Sequence, residues 1–519
     1  MTTRIRALIS CLVICASPLT AIGDVKLPAI FSDRAVLQRE MPVPVWGWAE
    51  PGEAVTVAIA GQKHKATADD NGKWRATLSP LSVGEPLKLV VEGNNRLERN
   101  DILVGEVWLC SGQSNMEWPV AASANADLEI PTADHPRIRL VRVKGEGSQT
   151  TVEDFDGKWE VCSPDTVKGF SAVGYFFGRE LQSHIDVPIG LIDNSWGGSA
   201  CEAWIRRDRL ESNPLYEALL ARWDKIATDH DAAKAWAEFE RNLAEWEKKA
   251  AAARAAGEPE PAGKPWWSDP LKGQLRPSNL YHARLGPILG YAIRGAIWYQ
   301  GESNAGRAYQ YREMFPLMIE SWRADWKQGD FPFYWVQLAD FLPEKPEPAE
   351  SGWAELREAQ TMTQDRLPNT GQAVIVDLGE AADIHPRNKL EVAKRLARWA
   401  LARDYGRDIV CQSPRYDSME SKDGTITVKF KDVGGGLRSV DAGEVQGFAI
   451  AGEDRKWVWA EAKIVAPDQV AVSSKDIAAP VAVRYAWADN PVCNLYNQVG
   501  LPVTPFRTDG WPGVTVDAR

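Results

Sequence analysis

Cysteine and histidine are scarce in this chain of 519 residues, which holds seven Cys and six His. Five of the cysteines, Cys110, Cys162, Cys201, Cys411 and Cys493, lie beyond the N-terminal stretch discussed below. That is too few for a disulfide-stapled scaffold, and the number is odd, so at least one thiol is expected to stay free or to pair outside the chain. No CxxC pair and no His/Cys spacing of a zinc site occurs, so neither a metal nor another cofactor is expected. Positive charge is also short: 60 Lys and Arg stand against 71 Asp and Glu, a formal net charge of -11. Without a basic stripe, nucleic acid is excluded as a partner. Past the first two dozen residues, no run approaches the ~18 apolar residues of a membrane span. Asn-x-Ser/Thr acceptor sites for glycosylation are missing altogether, which for an exported chain points to a bacterial source.

Residues 1–23 read as a secretory signal: Arg4 and Arg6 supply the positive start, residues 7–16 the apolar stretch, and Ala21-Ile22-Gly23 a small-residue cleavage site. The mature chain is therefore expected to be exported, periplasmic or secreted. Its length calls for two to four domains. Trp is abundant, at 23 residues, a content that fits carbohydrate-facing surfaces and large cores equally well.

From 24 to 103 short alternating strands are separated by Pro51-Gly52 and Asp70-Asn71-Gly72, and predict a small β-sandwich. Apolar strand-like runs then recur at 106–110, 137–143, 189–193, 296–299, 333–338 and 373–378, with helical stretches such as 175–181, 314–326 and 390–403 between them. Strands alternating with helices predict a mostly parallel three-layer α/β domain over 104–408. A helical insertion at about 214–265, closed by a proline-rich segment, reads as a solvated surface hairpin. Strand patterns return over 409–519. The expected order is β, then α/β, then β.

Candidate chemistry centres on Val107-Trp108-Leu109-Cys110-Ser111-Gly112-Gln113-Ser114-Asn115-Met116, a buried strand, a tight turn and a helix start. Ser114 there sits at the carboxyl edge of a parallel sheet, where open α/β folds bind ligands, and faces helix amide dipoles. It is the candidate nucleophile; the alternative role for a serine at such a place is an N-cap. A serine nucleophile needs a base, and the base an orienting group. Of the six histidines, His385 in Asp383-Ile384-His385-Pro386 lies after a strand, at the same sheet edge, with Asp383 two residues away. Oxyanion donors are expected after two further strands: from Trp196-Gly197-Gly198, where glycine lets a backbone N–H approach closely, and from the amide of Gln300 or Asn304 in Tyr299-Gln300-Gly301-Glu302-Ser303-Asn304. Glu302 lacks a convincing partner carboxylate for glycosidase chemistry.

These blocks, with Phe170-Ser171-Ala172-Val173-Gly174-Tyr175 and Pro277-Ser278-Asn279-Leu280-Tyr281, resemble the motifs of sialate O-acetylesterases, which belong to the SGNH (GDSL-like) hydrolases with a flavodoxin-like three-layer domain. The resemblance extends over most of the chain from about residue 25. It implies Ser114 as nucleophile, His385 as general base and then acid, Asp383 as its orienter, and the Ser114 and Gly198 backbone amides with the Gln300 side chain as oxyanion donors. It also implies an O-acetylated sialic acid or sialoglycan as substrate. Two departures stand out: the superfamily usually sets its Asp three residues before the His, and the block carrying its Asn donor is altered, leaving Gln300 and Asn304 as alternatives. Deacetylation of xylan or another plant glycan, and a non-catalytic Trp-rich glycan-binding role, are the rival readings.

Overall fold

Alternation of apolar and polar side chains in the first region produces a succession of strands joined by turns. The computed structural model describes residues 24–441 and 443–519; the expected secretory signal, residues 1–23, lies outside the described residues. The strands are β1 (Val36–Gln38), β2 (Val43–Trp48), β3 (Ala54–Ile59), β4 (Gln62–Thr67), β5 (Lys73–Leu78), β6 (Leu87–Glu92) and β7 (Arg96–Gly112). β2 pairs with β5, β3 with β4 and β6, and β6 with β7, all antiparallel. Their inward residues, among them Val45, Val55, Val57, Trp74 and Val91, share one buried cluster, as one-sided strands require.

No linker separates this region from the next. β7 is 17 residues long; its first half pairs with β6, and its second half enters the central sheet. There it is joined by β8 (His135–Arg142), β9 (Glu160–Cys162), β10 (Ile189–Ser195), β11 (Gly295–Tyr299), β12 (Phe333–Val336) and β13 (Thr370–Ala373), in the order β13-β12-β11-β7-β10-β8-β9. Every pairing but the last is parallel. Strands buried on both faces need apolar residues at every position. Accordingly Val107, Leu109, Trp298 and Phe333 enter one core layer, and Trp108, Cys110, Ile297, Tyr299 and Tyr334 the other.

Among the helices are α1 (Ser114–Glu117), α2 (Ala172–Ile185), α3 (Glu217–Asp229), α4 (Ala232–Ala256), α5 (Ala308–Trp326), α6 (Gly352–Arg366) and α7 (Lys389–Arg403). α2 and α7 pack together over the Trp108 face. α5 covers the other, its Trp322 edge-on to Trp298 with ring centroids 5.6 Å apart. The central unit is thus mixed α/β with helices on both sides of the sheet. α3 and α4 form the surface insertion, and the Trp246 indole N–H donates to the Pro261 carbonyl at 3.0 Å, folding the proline-rich segment back onto α4.

One strand differs from expectation. The apolar run 373–378 suggests a strand, but pairing with β12 stops at Ala373. Val374 and Val376 are apolar because they join the core of the C-terminal β region, and Ile375 because it joins the α2/α7 layer. The C-terminal region contains two four-stranded antiparallel sheets, one built on Thr425–Lys431 and Gln469–Ser473, the other on Phe448–Ala451 and Ala482–Tyr485. Buried Arg357 of α6 clamps it to the central unit, donating to the carbonyls of Leu338, Ala339, Ala488 and Asp489.

Candidate active site

Three strands end together. Ser195 of β10 and Tyr299 of β11 both stand opposite Gly112 at the end of β7. Gly112 has φ 138°, and a Cβ there would lie 2.2 Å from the Tyr299 carbonyl oxygen, so only glycine fits. The backbone then turns sharply: Gln113 N–H donates to the Tyr299 carbonyl at 2.9 Å, and Ser114 becomes the first residue of α1. Its hydroxyl is left half-buried at the carboxyl edge of the sheet.

The histidine arrives from the segment between β13 and α7. Glu380 stiffens that segment, its carboxylate accepting from the Arg387 backbone N–H at 2.9 Å and its carbonyl from Asp383 N–H at 3.1 Å. The outcome is a 2.8 Å contact between His385 Nε2 and Ser114 Oγ. With Nδ1 turned toward Asp383, Nε2 is the unprotonated nitrogen and the serine hydroxyl donates to it. The Trp118 ring lies parallel to the imidazole, centroids 4.7 Å apart at 13°. Burial, and after it the Lys389 ammonium, hold His385 below its ordinary value of 6.5 against the opposing pull of Asp383.

Asp383 is a loose partner. Its Oδ1 lies 3.4 Å from His385 Nδ1, with 49% of the aspartate side chain and 25% of the histidine exposed. The same oxygen accepts the His385 backbone N–H at 2.9 Å. The two-residue spacing therefore ties the carboxylate to the backbone of its own turn more tightly than to the ring.

The glycine pair lies beside the serine: a Cβ on Gly197 would come within 3.4 Å of Ser114 Cβ. Gly197 N–H donates to Glu117 Oε2 at 2.6 Å. Gly198, at φ 69°, has an N–H with no acceptor among the described residues. The Gln300 amide, expected among the oxyanion donors, is already committed. Its two N–H groups go to the Ser199 carbonyl at 3.1 Å and Asn304 Oδ1 at 2.7 Å, and its oxygen accepts from Tyr311 at 2.9 Å. Asn304 is equally engaged, donating to Glu202 Oε2 at 2.9 Å and to the Met314 sulfur. A primary amide has two donors, so neither side chain has one left for an oxyanion. Their place is behind the Gly-Gly loop, bracing it, with Ser303 donating to the Gly198 carbonyl at 3.0 Å.

Spacing in the sequence could not reveal a second set of polar residues beneath the serine. Asn115, next to Ser114, donates through Nδ2 to Glu302 Oε1 at 2.6 Å and to the Ile384 carbonyl at 3.0 Å, while its oxygen accepts from Lys389. Among the described residues no cluster of three or more His, Cys, Asp or Glu side chains is arranged to hold a metal ion, and no helix is long and apolar enough to cross a membrane. The five cysteines among the described residues are all free thiols.

A serine, an imidazole in contact with it and an unbonded N–H on an adjoining glycine are the parts of an acyl-transfer site. Comparison with known proteins points to ester hydrolysis. The family model of carbohydrate esterases described as sialic acid-specific acetylesterases matches residues 104–251 and 273–401. Sialate O-acetylesterases of Homo sapiens and Mus musculus are each 29% identical to the chain; the alignments cover 92% and 91% of it, and 92% of each relative. The crystal structure of a carbohydrate acetylesterase from Xanthomonas citri superposes with a TM-score of 0.79 at 37% identity, covering 94% of this chain and all of that one. The chain belongs to the family of sialic acid-specific carbohydrate acetylesterases and is a carboxylic ester hydrolase.

Proposed function

We propose that the protein is an exported serine esterase that removes O-acetyl groups from sialic acid, on an SGNH-type, flavodoxin-like catalytic domain. The observation that carries this reading is the 2.8 Å contact between Ser114 Oγ and His385 Nε2. As His385 takes its proton, Ser114 Oγ attacks the acetyl carbonyl carbon, and the carbonyl electrons move onto oxygen. The resulting oxyanion faces the backbone N–H groups of Ser114 and Gly198, at the positive end of α1. Collapse breaks the bond to the sugar oxygen, which receives the proton from His385 and leaves as the alcohol. Water, deprotonated by His385, then attacks the acetyl-serine, and a second collapse breaks the bond to Ser114 Oγ, which takes the proton back from His385 as acetate is released. Asp383 favours the tautomer with hydrogen on Nδ1 and contributes modestly.

Ser114→Ala tests the reading. It is expected to abolish acetate release from an aryl acetate with the fold intact, and undiminished turnover would refute it. The likeness to a carbohydrate acetylesterase at 37% identity favours a second reading of the substrate, an O-acetylated glycan without sialic acid. Time-resolved NMR of an O-acetyl sialoside and of acetylated xylan, each incubated with the enzyme, separates the two. Failure of an organophosphonate to label Ser114 would instead favour a glycan-binding protein without turnover.

A further inference from the structure

Lys389 is buried at the first residue of α7, and two effects oppose a charge there. Burial pulls its ammonium down from 10.5 to about 7, and the start of a helix is its positive end. Among the described residues no carboxylate is ion-paired with it directly. Its Nζ donates to Asn115 Oδ1 and sits 5.1 Å from the centre of the Tyr299 ring and 6.0 Å from that of Trp118. The other half of the Asn115 amide donates to Glu302 Oε1 and to the carbonyl of Ile384. Only this orientation of the amide sets its oxygen toward the ammonium and its N–H groups toward carboxylate and carbonyl. Glu302 Oε2 is buried and has no hydrogen-bond partner among the described residues. Such an arrangement is costly for stability alone, since an unpaired buried charge is destabilising. Its position accounts for its retention: Asn115 follows Ser114, Ile384 precedes His385, and Asn115 is the bridge between them.

We propose that Asn115, locked between Lys389 and Glu302, is the positioning residue that holds the His385 ring within reach of Ser114, and that the Lys389 charge keeps that ring in its neutral, basic form. The inference rests on the Ser114–His385 reading above. Two features give it its parts: the Asn115 hydrogen bond to the Ile384 carbonyl, and the Trp118 ring, which has Lys389 Nζ 6.0 Å from its centre and stacks on the His385 imidazole at 4.7 Å. The Asn115 bond to Ile384 fixes the backbone next to the imidazole. The Lys389 ammonium opposes protonation of His385, while Asp383 favours it. The charged groups acting on Lys389 are Glu302, Asp383 and Glu380, all raising its proton affinity. Below neutrality the lysine therefore carries its charge where His385 titrates.

The experiment measures kcat and KM for an aryl acetate from pH 5 to 9 in the full chain and in Lys389→Met, Lys389→Arg, Asn115→Ala and His385→Ala. Lys389→Met is expected to move the acid limb of kcat/KM upward by about half a unit to one unit. Lys389→Arg, which keeps the charge, restores the limb. Asn115→Ala is expected to lower kcat about tenfold to a hundredfold with KM nearly unchanged, as for a sub-ångström to ångström misplacement of the base. A folded Lys389→Met with an unmoved limb overturns the proposal, whatever its rate. If Lys389→Met fails to fold, Asn115→Ala decides: a wild-type kcat overturns, and a lowered kcat at constant KM supports. Wild-type activity in His385→Ala would remove the underlying reading as well. An inactive His385→Ala beside wild-type behaviour of the Lys389 and Asn115 variants removes the positioning unit alone.

Discussion

Ser114 and His385 stand 271 positions apart in the chain and 2.8 Å apart in space. The serine is fixed from below, by a strand that runs without a break from the N-terminal β region into the centre of the sheet. The histidine comes from a segment bound by Glu380 to its own backbone. A base held this way needs little help from its aspartate. His385→Ala is expected to lower kcat by about 10⁴-fold or more, whereas Asp383→Ala, removing a half-exposed partner at 3.4 Å, is expected to cost only about tenfold to a hundredfold. Steady-state kinetics on an aryl acetate compare the two, and an equal loss in both variants contradicts the loose-partner geometry.

Gly112 and Gly197 fail in different ways when substituted. Gly112→Ala places a methyl 2.2 Å from a backbone oxygen at φ 138°, so the strand end itself must move. A loss of about 3 kcal/mol or more is expected, seen as a lowered Tm. The atoms nearest a Cβ at Gly197 are Glu117 Oε2 at 2.9 Å, Ser114 Cβ at 3.4 Å and Ser114 Cα at 3.7 Å, and Glu117 is the end of a flexible side chain that can shift by giving up its bond to the Gly197 N–H. Gly197→Ala is therefore expected to keep its Tm within a few degrees while kcat falls, because the new methyl crowds the nucleophile. Normal turnover in Gly197→Ala would show that the acyl group approaches from elsewhere.

The pH dependence follows from the direction of the His385 shift. Neutral imidazole is the working base, and its pKa is held below 6.5, by burial first and Lys389 second. The acid limb of kcat/KM is thus expected below pH 6.5, with a plateau above it. The same depression gives the sign for stability: the folded state binds the proton less readily than the unfolded one. This term therefore destabilises the protein as pH falls from 6.5 through the folded-state value, and vanishes above. A limb above pH 6.5 would mean that Asp383, not burial, governs the ring.

Much of this site was legible because its parts follow strands. Ser114, the Gly197–Gly198 turn, the Gln300 loop and His385 each come after an apolar run, and parallel strands deliver their carboxyl ends to one edge. What the one-dimensional pattern could not carry is the direction of a side chain. Gln300 follows its strand as a donor would, yet it points behind the loop, because Ser199, Asn304 and Tyr311 satisfy all of its polar atoms. Lys389 heads a helix whose apolar stripe begins one residue later, and nothing in the local spacing marks it as buried. The run 373–378 misleads for a related reason: hydrophobicity reports burial, and the C-terminal β region buries Val374 and Val376 without pairing them.

That shared core also bears on the autonomy of the central unit. Arg357 is fully buried, its guanidinium pulled down to about 10 by desolvation, and it spends its hydrogen bonds on four carbonyls from two regions of the chain. Removing it leaves the Leu338 and Ala488 carbonyls without a donor among the described residues, each costing about 1–3 kcal/mol, whereas Ala339 keeps the Trp353 indole N–H and Asp489 the Phe341 N–H. Arg357→Leu is expected to lower unfolding stability by about 3 kcal/mol or more. Because Val374 and Val376 are part of the C-terminal core and lead along the chain into the segment that carries His385, loosening that core also loosens the base. Activity in Arg357→Leu should then fall at temperatures well below its Tm, with limited proteolysis cutting first near residues 374–389. Proteolysis and activity loss that appear only at global unfolding would show that the C-terminal region is a passive neighbour.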